Sequence, residues 1–317
     1  MKIKSLNGPA MGIVQNLLDQ PRYYGLKITN LDDGSTLIDA GKKGRGGYEA
    51  GRLIGEICMG GMGKVGLGVL SFSGIELPAT FVYTDLPLEA CILSQLAGWS
   101  IKVGKFRAMG SGPARALAKT EKLFEEFAFE DEHDEAAIVL ETSRTPTADV
   151  SDYISGKCGV KPSDLYMVMT PTSSLSGAVQ ICARIVETGM HKMHSMELDL
   201  SQAVAGFGSC PIPPLSKDDL VMMGRTNDAM LYGGTTQYAF KNAESIAPRV
   251  AEIPSDSSSD YGRPFGELFE AAGFDFYKLD PGLFSPAIVR INDIASGRIL
   301  SSGNLNSEVL AKSFGLS

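Results

Sequence analysis

Arg184 and Glu187 lie three residues apart in the segment QICARIVETGMHKM (180–193), with His191 and His194 just beyond them. A helix sets positions three apart side by side. An arginine one turn before a glutamate would hold the carboxylate ionised and fix its direction. An ionised, aimed carboxylate is a general base for water. Laid out at about 100° per residue, Ile185, Val186, Gly189, Met190 and Met193 gather on one side, and Gln180, Arg184, Glu187, His191 and His194 on the other. Such a polar stripe ordinarily faces water, so a solvated surface is the plain expectation. Two features oppose it: the stripe lacks the usual scatter of lysine and glutamate, and the helix opens from a small polar loop. Glu187, His191 and His194 could also be read as a metal set. The order is not the His-Glu-x-x-His of zinc hydrolases, the chain has 3 histidines, and the third, His133, lies in an acidic connector. No metal is expected.

The elements that would position this pair are legible upstream and downstream. DLYMVMT reads as a strand that runs into Pro-Thr-Ser-Ser-Leu-Ser-Gly and then the helix, which makes Ser173 and Ser174 candidate substrate contacts. Loops at the carboxyl ends of strands are where ligands settle in layered α/β proteins. AMGSGPARALAK (108–119) repeats the layout: an extended segment ends in Gly110-Ser111-Gly112, and Pro113 begins a helix. The N–H groups of such a start can hold an anion or a ligand carbonyl; a plain helix cap is the alternative. Asn227, Asp228 and Tyr232 in GRTNDAMLYGG, with the segment 254–287, have the mixture that lines pockets for flat heteroaromatic ligands, and that also builds ordinary turns. GMGKVG (61–66) matches G-x-G-x-x-G, but a helix-like segment precedes it and a strand-like one follows. This is the reverse of a dinucleotide site, so a glycine-rich turn is expected.

Around these segments helix-like and strand-like stretches alternate, predicting α+β architecture in mixed layers. Two domains are expected, 1–145 and 146–317. LKITNLDDGSTLIDAG (26–41) and AIVRINDIASGRILSSG (287–303) each read as a hairpin, and one per half hints at an internal duplication. LEACILSQLAG and ARALAKTEKLFEEF read as helices, and 129–135 as a solvated acidic connector. Of the 317 residues, 44% are hydrophobic and 21% charged, an ordinary globular balance. The net charge of -8, with no Lys/Arg block, argues against nucleic acid and anionic membrane as partners. No apolar run approaches the ~20 residues that cross a bilayer, and no signal peptide is expected at the N-terminus. The 5 cysteines are odd in number and scattered, which suggests reduced thiols and a cytoplasmic setting.

Seven segments, in their order and spacing, carry a resemblance: ICMGGMG, AGWSIKVGKFRAMGSGPARALA, TPTSSLSGAVQICARIVETGMHKM, CPIPP, MGRTNDAMLYGG, SDYGRPFGELFEAAGFDFYKLDPGLFSPA and LNSEVLAKSFG. From about Gly47 to the C-terminal helix the chain resembles the methenyltetrahydromethanopterin cyclohydrolase family. The resemblance implies reversible hydration of a cyclic methenyl carrier to its open N5-formyl form, the carrier being tetrahydromethanopterin or its dephospho form. It implies no metal or redox cofactor, two mixed α/β domains around a pocket, and a homotrimer. It places Arg184 and Glu187 at the reacting carbon. One position departs: archaeal members carry a lysine directly after the Ser-Gln that here is Ser94-Gln95, followed by Leu96. The other readings are a non-catalytic pterin-carrier binding protein on the same fold, or a metal-dependent hydrolase using Glu187, His191 and His194.

Overall fold

The computed structural model describes residues 3–72 and 74–316. In chain order come α1 (Asn7–Asp19), β1 (Lys27–Asn30), β2 (Thr36–Asp39), α2 (Tyr48–Cys58), β3 (Lys64–Phe72) and β4 (Ile75–Thr84). A π-helix (Leu88–Gln95) precedes β5 (Trp99–Val103), β6 (Phe106–Ser111), α3 (Ala114–Ala118), α4 (Leu123–Glu126), β7 (Ala136–Glu141), α5 (Ala148–Cys158), β8 (Leu165–Met169) and α6 (Leu175–Cys182). Then follow α7 (Ile185–Ser195), β9 (Ala203–Pro211), α8 (Asp219–Gly233), β10 (Thr235–Phe240), α9 (Phe265–Ala271), β11 (Ile288–Asp293), β12 (Arg298–Gly303) and α10 (Ser307–Phe314).

The architecture is α+β in two compact units, each with a six-stranded mixed sheet. The first unit holds residues 1–64 and 89–180, the second 65–88 and 181–317. A division at 145/146 does not match these units. It would separate β7 from β8, which pair in parallel from Ala136↔Leu165 to Leu140↔Met169. The segment 65–88, early in the chain, belongs to the later unit because β4 pairs with β9 from Ala79↔Pro211 to Thr84↔Gly206.

In the first unit the strand order is β1-β2-β8-β7-β6-β5. Successive strand residues point to opposite faces, so β7 feeds two cores. Ala137 and Val139 pack with α1 and α2 through Val14, Leu17, Ile54 and Ile57. Ala136, Ile138 and Leu140 pack with Val150 and Ile154 of α5. That is why this strand reads as a continuous apolar run. Asp131, in the expected solvated connector, is buried, and its Oδ2 accepts the N–H groups of Leu6 and Asn7 at 2.7 and 3.1 Å. It thus serves the otherwise unpaired N–H groups at the start of α1.

Two expected helices differ in form. LEACILSQ winds as a π-helix, a rare form outside short insertions. Its late carbonyls are held from outside: Arg115 donates to those of Ile92 and Ser94, and Ser111 to that of Gln95. ARALAKTEKLFEEF is two helices, because Lys119 takes a left-handed conformation and ends α3. The expected glycine-rich turn lies between α2 and β3, with Gly60 and Gly61 at φ 64 and 71°, values only glycine adopts readily; the second half of GMGKVG, from Lys64, already belongs to β3.

In the second unit the order is β12-β11-β10-β9-β4-β3. The two expected hairpins, β1–β2 and β11–β12, each lie at the end of a sheet and join it by parallel pairing, β2 with β8 and β11 with β10. α7 packs on β9, β10 and β4, and α8 on β9.

Candidate active site

Arg184 stands at a break between helices. α6 ends at Cys182, α7 begins at Ile185, and Arg184 holds the N-cap position with Glu187 in the first turn. The single helix expected over 180–193 is therefore two. A continuous helix would engage the Cys182 carbonyl with the N–H four residues on; here it accepts the Thr80 hydroxyl of β4 at 3.0 Å. The Arg184 N–H reaches back only three residues, to the Ile181 carbonyl at 2.9 Å, a tightened 3₁₀-type turn. The break puts the guanidinium-bearing residue and the carboxylate-bearing residue together at the positive end of α7.

Arg184 and Glu187 are each only 6% exposed. The expectation of a solvated stripe fails at Gln180, Arg184 and Glu187, all buried, and holds at His191, which is exposed. Burying a carboxylate and a guanidinium is costly unless they are engaged.

The seat of α7 is built from small residues. A Cβ on Gly206 would come within 2.7 Å of Val186, one on Gly208 within 2.9 Å of Ile185, and one on Gly234 within 2.4 Å of Ile185. Phe207, between the first two glycines on β9, is exposed on the opposite face. Tyr238 of β10 is fully buried and its hydroxyl donates to the Val186 carbonyl at 2.7 Å. Farther along α7, the buried Lys192 Nζ donates to the Gly282 carbonyl at 2.9 Å. Burial pulls its ammonium below the ordinary lysine range, against the raising influence of Asp280 and Glu252.

Ser173 and Ser174 lie in the first unit, in the turn between β8 and α6. The Ser174 hydroxyl donates to the Pro171 carbonyl at 2.7 Å and accepts the Gly177 N–H at 3.0 Å, so it caps α6. Beside it packs the loop after β2, where the Asp39 carboxylate accepts the N–H groups of Gly41, Lys42 and Lys43. A Cβ on Gly41 would meet the Ser174 Oγ at 2.3 Å. The density of glycines in GKKGRGG was the available signal for that loop. Gly110, Ser111 and Gly112 are also in the first unit and buried. Ser111 Oγ donates to the Gln95 carbonyl at 2.8 Å, and the Gly112 N–H to that of Ser94 at 2.9 Å. The bend thus fastens the end of the π-helix, beyond which Leu96 lies half-buried with its N–H on the Cys91 carbonyl.

Asn227, Asp228 and Tyr232 are on α8 in the second unit. Asn227 is half-buried and donates back to the Met223 carbonyl at 2.9 Å. Tyr232 is buried, donates to the Arg263 carbonyl at 2.6 Å and accepts the Gly262 N–H at 3.2 Å, pinning that loop. Burial pushes its phenol up. Asp228 accepts the Phe265 N–H at 2.8 Å and the Ser313 hydroxyl at 2.5 Å. Burial pushes its carboxyl up to about 7, with those two bonds acting the other way. Asp228 also lines a cavity of about 490 Å³ with Arg225, Phe265, Phe269 and Lys312; Arg184 and Glu187 are not among its walls.

Among the described residues no group of three or more His, Cys, Asp or Glu side chains is placed to hold a metal ion. Glu187 is buried while His191 is exposed, so the two do not face one environment. Nor is any described helix long and apolar enough to cross a membrane. Thr80, Tyr238, Lys192 and the glycine seat were not anticipated from sequence. The local mark left in the sequence was Gly189 inside α7, where a Cβ would meet the Tyr238 hydroxyl.

The chain matches the family described as Cyclohydrolase (MCH) over residues 5–314. It is 42% identical over 317 residues to the methenyltetrahydromethanopterin cyclohydrolase of Methanocaldococcus jannaschii, covering 98% of each chain. To the protein of the same name from Methylobacillus flagellatus it is 44% identical over 315 residues, covering 99% of this chain and 96% of that one. To that from Methanococcoides burtonii it is 40% identical over 315 residues, covering 98% of each.

Proposed function

Because the chain belongs to the Cyclohydrolase (MCH) family, we propose that it hydrolyses the methenyl bridge of 5,10-methenyl-tetrahydromethanopterin, or of the dephospho form, to the N5-formyl compound, and runs the reverse. The observation that carries the site assignment is the burial of Glu187 and Arg184 at the first turn of α7. A stripe meant for water would leave both exposed.

The substrate is an amidinium cation whose positive charge is shared by two nitrogens and the bridging carbon. Water attacks that carbon, and Glu187 takes a proton as the C–O bond forms. The tetrahedral adduct then collapses. The bond from carbon to N10 breaks, N10 receives a proton through Glu187, and the carbon stays on N5 as formyl; one proton is released overall. A positioned general base contributes about 10²–10⁴ in rate. Arg184 orients the carboxylate and offers a donor to the developing oxygen. A carboxylate also suits a cationic substrate. The carbon is already electrophilic, so we assign no metal and no redox cofactor. Gly110, Ser111, Gly112, Ser173, Ser174, Asn227, Asp228 and Tyr232 remain our candidates for shaping the carrier site. For Ser111, Ser174 and Tyr232 the contribution is to loop position, since their hydroxyls already donate to backbone carbonyls. A homotrimer working in the cytoplasm completes the reading; the buried cysteines, none in a disulfide, suit a reducing compartment.

The test is spectroscopic. The methenyl chromophore of the methanopterin carrier and of the folate carrier is followed separately, with and without a chelator. Turnover of the first and little of the second is expected, unaffected by the chelator. Glu187→Gln should lose about 10²-fold or more in kcat with binding largely kept. Preference for folate would refute the carrier. Binding without turnover by the unaltered protein would leave a carrier-binding protein instead.

A further inference from the structure

The geometry points to Tyr238 as a positioning residue for Glu187: its buried phenol holds the peptide from which the catalytic carboxylate projects. This rests on the reading of Glu187 as the general base.

Tyr238 lies on β10 opposite Gly206 of β9. Its hydroxyl donates at 2.7 Å to the carbonyl of Val186. That carbonyl and the N–H of Glu187 belong to one peptide plane, which is rigid. A bond to one end of the plane therefore fixes the direction in which the Glu187 Cα sets out. A hold from outside the helix matters here, since Glu187 is in the first turn, where helices fray most easily.

The surroundings are shaped for that bond. A Cβ on Gly189 would lie 2.1 Å from the Tyr238 hydroxyl oxygen, so any larger residue there would expel the phenol. Gly189 has no positive φ to explain it, and glycine inside a helix costs about 1 kcal/mol relative to alanine. The notch is the reason for its presence. Opposite the ring, a Cβ on Gly206 would meet Val186 at 2.7 Å and the Tyr238 ring at 3.4 Å. The helix and the ring are thus in close contact on both sides of the hydrogen bond. Displacing a reacting group by about 1 Å can cost about 10²-fold in rate, so a loosened first turn should appear in kcat.

The experiment is a double-mutant cycle of Tyr238→Phe with Glu187→Gln, with hydrogen exchange at the amides of 186–190 as a readout that needs no substrate. Phenylalanine keeps the ring in its slot and removes only the hydroxyl. Expected are faster exchange in the first turn of α7 and a kcat about 10–100-fold lower, with KM changed by less than about twofold. In the Glu187→Gln protein the same change should have no further effect, because there is no carboxylate left to aim. If Tyr238→Phe does not fold, Gly189→Ala, which displaces the hydroxyl from the other side, takes its place in the cycle. Unchanged kcat, a loss confined to KM, or the same fold-loss with and without the Glu187 carboxylate would overturn the assignment. Absence of turnover by the unaltered enzyme would remove the reading of Glu187 and this inference with it; normal turnover with an indifferent Tyr238→Phe removes this inference alone.

Discussion

Asp228 offers a stability measurement whose sign follows from one buried carboxyl. The group is fully buried on α8, and burial raises it from an ordinary 3.8 to about 7. The Phe265 N–H and Ser313 hydroxyl that it accepts do not offset the lost hydration. A raised carboxyl binds its proton more tightly in the folded chain than in the unfolded one. Its contribution is therefore fully present below about 3.8 and is lost as pH climbs through about 7. Three pH units at about 1.36 kcal/mol each set an upper bound of roughly 4 kcal/mol. Asn in place of Asp228 has the same shape and cannot ionise. Its oxygen still accepts the Phe265 N–H, and its amide can donate to the Ser313 oxygen as a protonated carboxyl would. Asp228→Asn should thus exceed the parent by no more than about 1 kcal/mol near pH 4.5 and by about 2–4 kcal/mol at pH 8. The assay is urea unfolding of both proteins at half-unit steps from pH 4.5 to 8.5, followed by a probe in the second unit. Parallel stability curves for the two proteins would refute the reasoning, because the advantage must grow with pH.

Two further outcomes concern the first unit and the thiols. Arg115 is fully buried, binds Glu121 through two contacts of 2.9 and 2.6 Å and stacks over Phe124; Arg115→Met should destabilise the chain by about 3–5 kcal/mol in urea unfolding, and Arg115→Met with Glu121→Leu should recover part of it. All 5 cysteines are buried, and burial pushes the Cys158 thiol up to about 12. A thiol reagent at pH 8 should therefore label none of them in the native protein and all after denaturation.

The sequence shows what is local and conceals what is imposed from a distance. The hairpins β1–β2 and β11–β12 were legible because alternation and turn residues act over a few positions. β7 was legible because a strand covered on both faces needs apolar residues throughout. The winding of LEACILSQ was not, since the groups that hold its late carbonyls, Arg115 and Ser111, come from beyond β5. The place of β3 and β4 in the later unit depends on pairing with β9, and nothing in their own residues announces it. The site divides the same way. Spacing alone brought Arg184 and Glu187 to one face, but periodicity cannot say whether a polar face meets water or a buried cleft. At the helix break that sets their positions, the Cys182 carbonyl is taken up by the hydroxyl of Thr80, 102 residues earlier in the chain. One local clue was available. Gly189 sits inside a helix at a conformation any residue could adopt, so only lack of space explains it. A helix with a glycine notch two residues after a buried acid is one that something must approach closely, and here that something is the Tyr238 hydroxyl.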